Sequence, residues 1–186
     1  SSDLEADPSY SRNYYNATRY YYFTTDKVWS ILYGEIFINM EPQGRNTPEI
    51  KDILLDSYKK LFIDADLLQN NKDKTPFVLA FLQSMNRQSS VAAQGINTES
   101  LTMIGARFII DWTANNKEKF PYKLFSYQQQ LLQEGLFEAY NQWIFGSSEN
   151  LAAFQNWINT HKETYAAFSN FQQGRIFKIP GAQYYK

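Results

Sequence analysis

The 186-residue chain predicts an all-α fold of about seven helices, because apolar side chains recur at helical spacing through most of its length. Two further observations agree. Helix start and stop signals (Thr-Pro, Asn-Asn and single glycines) punctuate the apolar stretches, and no alternating strand pattern precedes Arg175. The composition, 44% hydrophobic and 20% charged, belongs to a folded globular chain. A chain of this length makes one domain that buries roughly 70% of its unfolded surface. The expected organisation is therefore a single helical domain over residues 1–186, with a flexible leader at 1–7 and an extended tail at 175–186.

Asp7 and Pro8 are placed to open a first helix to Tyr22, with Tyr10, Tyr14, Ala17 and Tyr21 on one stripe. Thr24 or Thr25 caps a second helix through Met40, closed by Pro42 and Gly44. Thr47-Pro48 starts a long third helix carrying Ile50, Leu54, Tyr58, Leu61, Ala65 and Leu68, which Asn70-Asn71 ends. Thr75-Pro76 starts a short fourth helix with Phe77, Ala80, Phe81, Ser84 and Met85 inward; the polar stretch Arg87 to Asn97 follows as a loop. A fifth helix spans Thr98 to Asn115, and a sixth runs from a Ser126 cap to Phe145. The seventh runs from Ser147-Ser148 to Gly174. In it Ala152-Ala153-Phe154-Gln155-Asn156-Trp157 returns fourteen residues later as Ala166-Ala167-Phe168-Ser169-Asn170-Phe171. That offset brings a helical side chain back to within about 40° of its starting direction, so the repeat predicts one continuous packing face. Short connections make the helices antiparallel hairpins, arranged as a bundle or as a short tetratricopeptide-like stack. After Gly174, "RIFKIP" and Pro180-Gly181 read as an extended tail over the bundle.

Several function classes lack their sequence requirements. The net charge is −1, from 18 Lys and Arg against 19 Asp and Glu, and no basic cluster exists beyond Asn115 to Lys123; a nucleic-acid partner is not expected. No run of about 18 apolar residues offers a transmembrane segment. There is no cysteine, so disulfides and thiolate sites are excluded, and one histidine cannot complete a His-based metal site. Phosphate-binding glycine loops and a nucleophile elbow are missing. No catalytic residues, metal or cofactor are therefore expected. The chain opens on Ser1 without an apolar signal core, which is read as a processed or trimmed N-terminus.

The segment Thr24 to Gly44 resembles a family of uncharacterised secreted proteins of gut-type Gram-negative bacteria through Thr24, Val28, Leu32, Tyr33, Gly34, Ile36, Phe37, Pro42 and Gly44. The resemblance implies a periplasmic or cell-envelope location and a helical-hairpin scaffold of tetratricopeptide type, with no activity attached. The Trp29-x-x-Leu32 element lacks the small and proline residues that a regular tetratricopeptide repeat places after it, so a 34-residue repeat is not expected.

The aromatic content, 14 Tyr, 14 Phe and 4 Trp, carries the remaining signal. In "NYYNATRYYYF" the tyrosines cover more than one helix face, so some rings must be exposed or meet a partner. Tyr14, Tyr20, Tyr21, Tyr22 and Trp29, with Glu35 and Arg107, form the candidate contact surface. Glu35 lies among apolar neighbours in "ILYGEIFI" and needs an Arg, Lys or Tyr partner, or its pKa rises; Arg107 in "MIGARFII" is the expected mate, as an ion pair marking a cleft. Glu134 and Glu138 share a spacing that suits a cation or paired acid and base work, although their helix pattern turns them outward. His161 falls on the apolar stripe between Ile158 and Tyr165, where it reads as a core or edge histidine with a local hydrogen-bond partner. The reading that follows is a non-catalytic scaffold that binds a protein or peptide. Its alternative is a carbohydrate-binding or carbohydrate-processing envelope protein, with Tyr and Trp platforms and Glu35, Glu134 or Glu138 near the sugar.

Overall fold

A computed structural model describes the chain from Ser2 to Lys186. Among these residues there are eleven helices and no strand, so the all-α class holds while the expected seven segments divide further. The helices are α1 (Ser2–Ala6), α2 (Ser11–Tyr22), α3 (Lys27–Met40), α4 (Thr47–Leu61), α5 (Pro76–Asn86), α6 (Ser89–Ala92), α7 (Thr98–Asn115) and α8 (Lys123–Gln133). A composite α9 follows, with α-helical Phe137–Asn141, a π-helical turn at Gln142–Gly146 and α-helical Ser147–Glu149. Helices α10 (Leu151–Thr160) and α11 (Lys162–Gln173) complete the set.

Helix α3 is the axle of the fold. Its sequence is apolar on every side, and every residue from Val28 to Asn39 is buried. Helices α2 and α4 pack along it, α5 meets it from another side, and α8 and α9 reach it through Gln128 and Tyr140. One hydrophobic cluster extends from Leu4 to Ile179. Around Phe77 it is almost wholly aromatic: Trp29 stacks at 5.8 Å, Tyr185 stacks at 4.5 Å, and Trp112 and Tyr122 present edges at 5.5 and 5.1 Å.

Local side-chain chemistry explains most of the extra divisions. Asp7 Oδ1 accepts the Ser9 amide and hydroxyl at 3.1 and 2.6 Å, so residues 7–10 turn and α2 begins at Ser11. The expected leader contains α1, whose Leu4 is buried; Ser1 lies outside the described residues. The third expected helix stops at Leu61, because Asp66 takes the Leu68 amide at 3.0 Å and Asp64 holds Asn70 at 2.8 Å. The expected loop at 87–97 contains α6. Helix α7 matches its expected span, opened by a reciprocal cap between Asn97 and Ser100.

The sixth expected helix starts four residues early, with Tyr122 in place of Ser126 before its first turn, and breaks at Gly135, whose φ of +72° is the left-handed conformation. Leu136 N–H donates to Leu131 C=O at 2.8 Å and Gly135 N–H to Leu132 C=O at 3.1 Å, the two bonds of a Schellman termination. The seventh expected helix is interrupted twice. Asn150 turns extended and its side chain accepts the Ala153 amide, and His161 leaves the helical region at φ −129°, ψ 38°. The fourteen-residue repeat therefore does not make one packed face: α10 has no buried residue, whereas Phe168 and Phe171 of α11 are core. Residues 175–186 form no strand and lie on the core through Phe177, Ile179 and Tyr185.

Candidate functional site

The residues expected to form one surface are distributed between core and solvent. Trp29 is 1% exposed and its Nε1 donates to Asp73 Oδ2 at 2.9 Å, so it is a structural residue. Asp73 also receives Lys186 Nζ at 2.8 Å and the Thr75 amide at 3.0 Å. Burial alone would raise the Asp73 carboxyl, but these donors overcome it and hold it at about 2. Tyr14 is buried with its hydroxyl on Pro8 C=O at 3.1 Å, and burial followed by the charge of Asp7 pushes it up to about 12. Tyr22 is half-buried and donates to Asp56 at 2.6 Å while Lys60 sits over its ring. None of these three is free for a partner.

The expected Glu35–Arg107 pair is absent. Arg107 lies exposed on the outer face of α7, and Glu35 is 4% exposed on α3. An arginine one helical step from the core stripe of Leu101, Ile104 and Phe108 turns to water, where its charge is solvated. Glu35 meets its burial cost differently. Its Oε1 accepts the Tyr140 hydroxyl at 2.7 Å and the Gln128 amide, and Tyr140 in turn accepts Asn39 Nδ2 at 2.8 Å. With no cation beside it, burial raises the carboxyl to about 7 against the pull of those two donors. Beside it is a cavity of about 20 Å³ lined by Leu32, Tyr58, Phe108 and Phe137. That is room for a water molecule, not for a sugar ring.

Glu134 and Glu138 are separated by the break at Gly135 and are both exposed. Glu134 bonds Gln130 at 3.0 Å and lies 3.8 Å from Arg175. Glu138 accepts Trp157 Nε1 at 3.0 Å. His161 is not in the core but exposed at the α10–α11 junction, with its Nδ1 3.0 Å from Trp157 C=O and its ring stacked on Trp157 at 4.4 Å and 6°. Among the described residues, no three Asp, Glu or His converge to hold a metal ion.

Of the expected tyrosines Tyr20 stands in solvent, and the half-buried Tyr21 packs beside it. Tyr20 is 67% exposed, and the two rings meet edge to face at 5.0 Å. They line a groove of about 370 Å³ between α1 and α2 whose other walls include Asp3, Asn13, Asn16 and Ala17. Tyr33 is at its floor, and its buried hydroxyl has no hydrogen-bond partner among the described residues. Burial pushes that hydroxyl far up, so it remains a neutral donor and acceptor. Phe23, 82% exposed at the end of α2, and Tyr10, 55% exposed at its start, extend the aromatic edge. Asn13, Asn16 and Tyr33 were not expected at the contact surface from the sequence. The spacing of Asn13, Asn16 and Tyr20 on one helix face was the signal available.

Comparison with protein-family models, curated proteins and solved structures finds no match for the chain. Among the described residues no helix is long and apolar enough to cross a membrane.

Proposed function

We propose that this protein is a non-catalytic helical scaffold that binds a protein or peptide segment along α2, with the groove of Tyr20 and Tyr21 as its anchor pocket. One observation carries the reading: large aromatic side chains stand in solvent on one short helix and at its two ends, Tyr20, Tyr10 and Phe23, and Tyr20 lines a groove floored by a Tyr33 hydroxyl without a partner among the described residues. Exposed aromatics cost solubility and commonly mark contact surfaces, and rigid tyrosines give up little conformational entropy when covered. The groove is of a size for one large side chain, and Asn13, Asn16 and Asp3 offer main-chain bonding to a segment lying across it. Following the resemblance of residues 24–44, we place this activity in the bacterial envelope.

The processing form of the carbohydrate alternative loses its acid. Glu35 is sealed in the core, and Glu134 and Glu138 are held in separate surface contacts. Selection from a peptide display library tests the proposal. Enriched peptides should bind the wild-type chain and lose about tenfold or more in affinity to Tyr20→Ala or Phe23→Ala. A library that enriches nothing, or peptides indifferent to both changes, would contradict it.

A further inference from the structure

A second groove, of about 450 Å³, lies on the opposite half of the chain, where α9 and α10 meet the start of α7. Its most prominent feature is the Trp157–His161 stack. Trp157 is fixed on one edge by Glu138, and its neighbour's Nδ1 is 3.0 Å from Trp157 C=O. That Nδ1 also lies 2.9 Å from the Thr160 hydroxyl, and Nε2 has no hydrogen-bond partner among the described residues. Both rings are therefore held in place before anything binds, on a helix with no buried residue of its own.

The polar walls are also preset. The carbonyl oxygens of the Asn97 and Asn150 side chains cap the amides of Ser100 and Ala153 at 2.8 and 3.0 Å. Each cap fixes its amide plane and leaves the NH₂ group unpaired. Gln142 and Asn156 have no side-chain hydrogen bond among the described residues. Glu149 spends one oxygen on Thr98 and keeps the other. No Lys or Arg lines the groove. Gly146 allows Phe154 to close the floor, since a Cβ there would stand 2.6 Å from its ring.

We propose that this groove is a binding site for a neutral oligosaccharide, one sugar ring lying against the Trp157–His161 pair and its hydroxyls bonded by the free amides and carboxylates. A sugar presents an apolar C–H face and a rim of groups that both donate and accept, which matches an aromatic platform rimmed by amide donors and carboxylate acceptors. An anionic ligand would meet Glu99 and Glu149 with no lining cation to offset them. The site is independent of α2, so its failure leaves the peptide reading intact.

The groove carries its own reporter. Trp29, Trp112 and Trp143 are buried, so acrylamide quenching reads Trp157. The probes are tetrasaccharides of β-1,4-glucose, α-1,4-glucose, β-1,4-xylose, β-1,4-mannose and β-1,4-N-acetylglucosamine, titrated to millimolar concentration with calorimetry in parallel. At least one should protect the fluorescence. Its affinity should fall about tenfold or more in Trp157→Ala and in Asn156→Ala, and stay unchanged in Tyr20→Ala. Asn156→Ala keeps the test usable if Trp157→Ala loosens α10. No binding by any of the five, binding unmoved by both groove variants, or equal loss in Tyr20→Ala would overturn the assignment.

Discussion

Replacing Glu35 by Gln should change how the stability of this protein depends on pH. The unfolded carboxyl titrates at its ordinary value of 4.5, and the folded one at about 7 because α3 buries it without a cation. Between those values the folded state keeps a proton that the unfolded state has lost. Stability therefore falls as pH rises through this window, and the proton's contribution, complete below 4.5, is gone above about 7. At about 1.4 kcal/mol per pH unit, the window is worth about 3 kcal/mol. Glutamine copies the neutral acid: its carbonyl can accept from Tyr140 and Gln128 as Oε1 does, and it never ionises. Urea unfolding followed by tryptophan fluorescence, on both proteins from pH 4.5 to 8.5, isolates the effect because every other titrating group is shared. The variant's stability minus that of the wild type should rise by about 2–3 kcal/mol between pH 5 and pH 8. Any fixed cost of the substitution cancels in this slope. Two parallel curves would show that Glu35 does not hold its proton, and would refute the account of the core.

Further predictions follow from the same contacts. Asp73 is held at about 2, so its contribution is present above the usual 3.8 and lost as pH falls toward 2. Asp73→Asn should flatten acid unfolding in that range, as read by circular dichroism. Arg107→Ala, on an exposed face with no partner for Glu35, should alter stability by less than about 0.5 kcal/mol and leave the pH profile unmoved; a larger loss would restore the ion pair. Gly135→Ala should cost about 1 kcal/mol in chemical unfolding, because an alanine is strained at φ +72°. Tyr185→Ala, which removes the ring stacked on Phe77, should cost about 1–3 kcal/mol and expose Trp29 to acrylamide; an unchanged midpoint would show that the tail does not seal the core.

What could be read from the sequence was what apolar periodicity and strong caps report. The all-α class, α3 through Met40, and α7 from Thr98 to Asn115 each rest on sustained apolar content with a clear end. The divisions that were missed depend on short polar side chains turning back on the backbone. Asp7, Asp66 and Asn150 each satisfy a backbone amide that a longer helix would have had to leave or bond internally, and such competition has no periodicity to detect. Gly135 was visible as a residue, but the stripe of Leu131, Leu132 and Leu136 hid its role as a stop. The exposure of the candidate residues was legible in part. The tyrosine cluster correctly implied exposed rings, yet which of them faced out depended on which polar partner each hydroxyl found: Pro8 for Tyr14, Asp56 for Tyr22. Glu35 was correctly read as a buried charge in need of company. Its partners, Gln128 and Tyr140, are 93 and 105 residues away in sequence, and only the packing of α8 and α9 on α3 brings them there.

The central claim is that α2 is the contact surface, and the most direct measurement is a residue-by-residue NMR map of the wild-type chain with and without a selected peptide. The account predicts shifts concentrated on residues of α1 and α2 around Asn13, Asn16, Tyr20, Tyr21 and Phe23, with α7 to α11 undisturbed. Shifts centred on any other part of the fold, or spread evenly through the core, would contradict it.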